Sequence, residues 1–123
     1  MAGAIASTDH AVEVITTGTF GTISADQAQA LATVLNELVA NSVEHGLADR
    51  DGRIEVCAQR DNLSMKVTVA DDGVGFVPGT PMSGLGTQIV HQMVRGELRG
   101  SIEWAPREGG GTLVTLLINL DPA

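Results

Sequence analysis

Residues 53–70 constrain the fold more than any other part of the chain. RIEVCAQR (53–60) and LSMKVTVA (63–70) each alternate apolar and polar side chains, with Asp61-Asn62 between them. Period-two alternation turns one side of each run toward a core, and the short Asp-Asn connection suits a hairpin turn. A lone hairpin is marginal in water and needs its apolar face covered. The cover is in the chain. LATVLNELVANSVEHGL (31–47) and GLGTQIVHQMVRGEL (84–98) have helical periodicity, the second with Leu85, Ile89, Val90, Met93 and Val94 on one side. AVEVITT (11–17), SIEWA (101–105) and TLVTLLINL (112–120) add strands, the last apolar enough to be central. The expected fold class is α/β, a two-layer α/β sandwich with a mixed sheet covered by helices on one face.

The boundaries follow local chemistry. Ser24 can cap the first helix, with Gln27 three residues on completing a capping-box pattern, and Gly46 offers a left-handed stop. Residues 1–10 are small and polar and read as a frayed or cloning-derived N-terminus. Residues 11–123 read as one domain without a repeat or linker.

Composition narrows function. A net charge of −8 argues against nucleic-acid binding through a basic patch, and aromatics at 2% leave aliphatic side chains to fill the core. Cys57 has no second cysteine to bridge and reads as a small buried apolar group. No apolar run reaches spanning length and MAGAIASTDH is not a secretory signal, so no membrane contact and a cytoplasmic address are expected. His91 reads as a helix-surface histidine.

Four clusters carry chemistry. Glu37, Asn41 and His45 recur at a spacing of four, which places a carboxylate, a carboxamide and an imidazole along the edge of the apolar face of a helix. They offer a proton acceptor, an oxygen ligand for a hard cation and a donor to an anion; a plain polar border is the alternative. Asp71-Asp72-Gly73-Val74-Gly75 puts a carboxylate at a strand end, followed by bare backbone against which a flat ligand can lie; alone it is also an ordinary turn. Gly84-Leu85-Gly86-Thr87 leads into a helix, where free N–H groups and the positive end of the dipole seat phosphate. It is neither a Rossmann loop nor a Walker A loop. Gly109-Gly110-Gly111-Thr112 is either a loose hairpin or a device that brings Thr112 to a pocket floor, its hydroxyl sharing a water with Asp71.

In this order and spacing, the four clusters resemble the N, G1, G2 and terminal Gly-Thr boxes of the GHKL ATPase/kinase superfamily, from about Ala11 to Leu120. ELVANSVEHGL, GLGTQIV and the run from GELRGSIEW to GGGT look most like the catalytic ATP-binding domain of sensor histidine kinases of the second type, the PdtaS-like sensors. The resemblance implies the Bergerat ATP-binding fold. It implies ATP and Mg²⁺ as ligands, with Asn41 on the metal, Glu37 as the catalytic acceptor and His45 on phosphate. It further implies Asp71 on the adenine amine with Gly73 and Gly75 beside the ring, Gly84, Leu85, Gly86 and Thr87 along the triphosphate, and Thr112 near the adenine.

The implied partners are ATP and ADP, a histidine-bearing dimerisation domain and a response regulator, with the isolated domain a monomer. Two positions depart from the pattern. Glu44 stands where many members carry a base, and the lid-like loop FVPGTPMS (76–83) has no basic residue. Both imply weak, Mg²⁺-dependent binding, roughly −8 to −4 kcal/mol. An anti-sigma-factor-type serine kinase and a catalytically silent nucleotide-binding module are the alternative readings.

Overall fold

The computed structural model describes residues 2–6, 11–43, 52–73 and 85–120. Within them run β1 (Ala2–Ala6), β2 (Ala11–Gly18), α1 (Ala25–Asn41), β3 (Gly52–Arg60), β4 (Ser64–Asp71), α2 (Leu85–Arg95), β5 (Ser101–Pro106) and β6 (Thr112–Asn119). The strands form one six-stranded sheet in the order β1-β2-β3-β4-β6-β5. Only β2 and β3 pair in parallel; the other neighbours are antiparallel. The sheet is mixed and its helices lie on one face, as the alternation predicts. The hairpin at 61–64 closes with the Asp61 amide donating to the Ser64 carbonyl at 2.9 Å.

Strand alternation sorts the two faces. Ile54, Val56 and Ala58 of β3, Met65, Val67 and Val69 of β4, and Val114, Leu116 and Ile118 of β6 are all buried on one face. Against them α1 turns Ala30, Leu31, Val34 and Leu38, and α2 turns Val90 and Val94. These aliphatic side chains form one continuous core, as the shortage of aromatics requires. Loss of Leu38, 1% exposed, to alanine should cost about 2–5 kcal/mol.

Ser24 caps α1: its hydroxyl oxygen accepts from the Gln27 amide at 3.3 Å. Gln27 does more than complete the cap. It is fully buried, and its carboxamide nitrogen donates to the carbonyls of Glu97 and Asn119, each at 2.9 Å. One side chain thus ties the first turn of α1 to the segment after α2 and to the end of β6.

Three sequence expectations change. Ala2–Ala6 are not a frayed end: they pair with β2 in antiparallel register, Ala2 opposite Ile15 and Ala6 opposite Ala11. An uncharged, proline-free segment can take up the ladder that β2 otherwise leaves open. Cys57 is half-buried, not buried, because its place in β3 turns it to the helix-free face. His91 is half-buried with its ring 5.4 Å from that of Trp104, tilted 55°, so α2 packs it over β5 instead of offering it to water.

Candidate functional site at one end of the sheet

The topology decides where the chemistry-bearing residues meet. β2 and β3 are parallel, so α1 must start at the Gly18 end of β2 and return to the Gly52 end of β3. Ile54, near the start of β3, pairs with Asp71, so this is also the C-terminal end of β4. The last turns of α1, carrying Glu37 and Asn41, therefore come back toward Asp71. α2 runs the other way. Its C-terminal end is pinned at the far end of the sheet, where the Asn119 amide donates to the Leu98 carbonyl at 3.1 Å. The N-terminal turn of α2, Leu85-Gly86-Thr87, therefore faces the Asp71 end with its free N–H groups and positive dipole end. β6 begins there too, since Thr112 pairs with Asp71.

Asp71 is 2% exposed, and an ionised carboxylate at that depth needs donors. Oδ1 accepts from the amide of Gly73 at 3.0 Å and from the amide of Thr112 at 3.3 Å. Both bonds land on the same oxygen, and neither engages Oδ2, which keeps its acceptor capacity. At Thr112 the main chain itself holds the carboxylate.

Gly111 makes that approach possible. Its φ is +99°, and a β-carbon there would stand 1.9 Å from the Asp71 carbonyl oxygen. The run of glycines is thus a close crossing of β4 by the turn before β6, braced by the Arg107 amide on the Gly111 carbonyl at 2.9 Å. On the other side of β4, the Arg53 amide donates to Oδ1 of Asp72 at 2.8 Å and the Asp72 amide to the Arg53 carbonyl at 3.3 Å. The corner that carries Asp71 is held from both flanking strands.

Asp71, Gly73 and Thr112 are hydrogen-bonded together, and the topology turns the last turns of α1, with Glu37 and Asn41, and the first turn of α2, Leu85-Gly86-Thr87, toward the same end of the sheet. Glu37 and Asn41 are half-buried, while Thr87 is buried in the first turn of α2. Leu85 and Gly86 lie inside that turn, so the glycine motif runs directly into the helix. His45, Gly75, Gly84, Glu44 and the loop 76–83 lie outside the described residues. Sequence reasoning missed the support given by Arg53, which alternation places on the solvent face. It also missed Gln27 as a buried tie, although Gln27, Ala30, Leu31, Val34 and Leu38 share one stripe of α1.

A two-layer sandwich with this order of motifs around one end of a mixed sheet defines a GHKL-type ATP-binding domain. Residues 26–122 match the family model described as histidine kinase-, DNA gyrase B- and HSP90-like ATPase, and the chain belongs to that family. Among curated relatives it is 34% identical over 119 residues to the sensor histidine kinase PdtaS of Mycobacterium tuberculosis, covering 93% of this chain and 24% of that protein. It is 35% identical to PdtaS of Mycolicibacterium smegmatis over the same shares. The chain thus spans about a quarter of the length of the curated relatives it matches.

Among solved structures, the histidine kinase domain of the Erythrobacter litoralis EL346 blue-light activated histidine kinase superposes with a TM-score of 0.77 at 26% identity, covering 89% of this chain and 52% of that one. The catalytic domain of histidine kinase ThkA shares the fold with a TM-score of 0.72 at 21% identity, covering 91% and 82%. The match is to a histidine-kinase ATPase catalytic domain.

Proposed function

We propose that this chain binds Mg-ATP and passes the γ-phosphoryl group to a histidine on a separate dimerisation domain of a two-component sensor kinase. The observation that supports it is the convergence at one end of the sheet of the Asp71 carboxylate, the N-terminus of α2 and the Glu37–Asn41 edge of α1.

Each part has a role in this reading. Oδ2 of Asp71 accepts from the exocyclic amine of adenine while Gly73 leaves room for the ring. The first-turn amides of α2, that of Gly86 among them, face the phosphates, and the resemblance gives Gly84 the same work. Among the described residues no group of three or more His, Cys, Asp or Glu side chains can cage a metal ion. A single carboxamide oxygen from Asn41 suits magnesium, which keeps several waters and shares phosphate oxygens; when bound, it neutralises phosphate charge. Phosphoryl transfer then asks mainly for alignment and charge stabilisation. The acceptor imidazole nitrogen bonds to the γ-phosphorus as the β,γ-bridging P–O bond breaks. ADP leaves with the bridging oxygen, and Glu37 takes the imidazole N–H proton.

In this reading the domain works in the cytoplasm, is monomeric by itself, meets its acceptor domain through the parent kinase, and feeds a response regulator. Calorimetric titration of ADP, ATP and GTP, with and without Mg²⁺, tests it. Saturable, adenine-selective and Mg²⁺-sensitive binding, followed by transfer to a supplied histidine hairpin, is the expected result. Adenine binding with transfer to a serine on a protein substrate would instead favour the serine-kinase reading, and binding without transfer a silent nucleotide switch.

A further inference from the structure

A second concavity opens at the opposite end of the sheet, with a volume of about 720 Å³. Gln59, Lys66, Leu117 and Ser101 lie side by side across four strands, in register, and Arg99 and Asn119 complete the lining. Lys66 stands between Met65 and Val67, both buried under the helices, so its ammonium points from the helix-free face.

Three observations meet here. The first is charge. The chain has 7 basic against 15 acidic residues, yet Arg60, Lys66 and Arg99 gather around this one hollow with Asp61 as its acid. Register puts the Arg60 side chain with Met65 on the helix-covered side, where its guanidinium donates to the carbonyls of Phe20 and Thr22, so Lys66 and Arg99 are the bases turned to the hollow.

The second is apolar exposure. Leu117 on the lining is 51% exposed, and Leu63, in the hairpin whose Asp61 and Ser64 also line the hollow, is 49% exposed. Among the described residues these are the exposed large aliphatic side chains.

The third is backbone strain. Arg99 has φ +46°, the one non-glycine residue among those described in the left-handed region. Its carbonyl accepts from the Asn119 carboxamide at 2.5 Å, which holds it there. Glycine would occupy this position without the steric cost; arginine places a guanidinium at the lip.

We propose that this concavity docks an acidic segment of a partner protein, its carboxylates on Lys66 and Arg99 and one apolar side chain on Leu117. An acidic chain repels such a segment over most of its surface, so the hollow gives both the attraction and the register. The hollow lies at the far end of the sheet from Asp71, so docking there is compatible with a ligand at the other end and does not rest on the nucleotide reading.

The test is a heteronuclear NMR titration of this chain with a short capped peptide of glutamates around a central leucine. Matched peptides carry lysine for glutamate or serine for leucine. The expected result is saturable, salt-sensitive shifts confined to residues 59–66, 99–101 and 117–119, weaker with the serine peptide and absent with the lysine peptide. K66E and R99G should each weaken binding by about tenfold, with R99G melting no lower than the parent because its strain is relieved. The proposal is overturned if no shifts appear there, if both variants bind as the parent does, or if inorganic phosphate or phosphatidylserine vesicles give the same shifts as strongly as the peptide.

Discussion

The amide of Thr112 donates to Oδ1 of Asp71 across 3.3 Å, so the first residue of β6 orients the carboxylate at the end of β4. Asp71→Asn keeps that bond, because a carboxamide oxygen can accept from both Thr112 and Gly73. It changes the outward atom from acceptor to donor, which opposes an amine. The fold should survive with an unchanged melting curve, and adenine nucleotide binding should fall by at least tenfold, about 1.4 kcal/mol. Calorimetry at matched Mg²⁺ checks it; an affinity equal to the parent's removes Asp71 from the adenine contact.

Gly111→Ala separates close approach from flexibility. Its β-carbon meets the Asp71 carbonyl oxygen at 1.9 Å, so β4 and the turn must part. A loss of about 2–4 kcal/mol in denaturant unfolding is expected, together with impaired nucleotide binding. Gly110, with φ +116°, has nothing within 4 Å of its would-be β-carbon, and Gly110→Ala should cost only the backbone strain, about 1–2 kcal/mol. Equal losses in the two variants would mean that the Asp71 crossing is not what Gly111 protects.

Much of this was legible in the sequence, for a physical reason. The hairpin 53–70 and the apolar stripe of α1 follow from local periodicity, which survives into the fold because each element buries one face. Asp71 was legible as a carboxylate at a strand end followed by glycines, which is where the structure puts it, at the end of β4. The Arg53–Asp72 pairing was not legible: it joins the Arg53 main chain to the carboxylate and the amide of Asp72, 19 residues on, and a main-chain partner leaves no trace in residue type. Gln27 was half legible. Its cap position showed locally, but its long-range bonds at sequence separations of 70 and 92 depend on where α2 and β6 end. The strand at Ala2–Ala6 was missed because small residues carry little strand propensity and are recruited by a neighbour's open edge.

Gln27→Ala should destabilise without touching the nucleotide. The carbonyls of Glu97 and Asn119 each lose a donor at 2.9 Å from the buried Gln27 carboxamide, at a cost of about 1–3 kcal/mol in all. The tie sits at the end of the sheet away from Asp71, so the folded variant should bind nucleotide with parent affinity. Trp104, the sole tryptophan, lies against His91 of α2 and gives a fluorescence readout of unfolding. A stable variant would mean that water replaces the carboxamide.

Glu37 and Asn41 lie one turn apart on α1, both half-buried, and the reading gives them different work. Asn41→Ala removes an oxygen ligand, so ATP affinity should fall in Mg²⁺ and change little in EDTA, flattening the metal dependence. Glu37→Ala removes only a proton acceptor, so Mg-ATP should bind as before while transfer to a supplied histidine hairpin falls by about 10²–10⁴. Glu37→Gln keeps the shape and should lose transfer to the same extent, which separates proton acceptance from packing. The two side chains are four residues apart, so their effects on a shared ligand need not add, and the double variant belongs in the same series. Phosphoryl transfer that persists in both Glu37 variants would leave that carboxylate a border residue of α1 and return the proton to solvent.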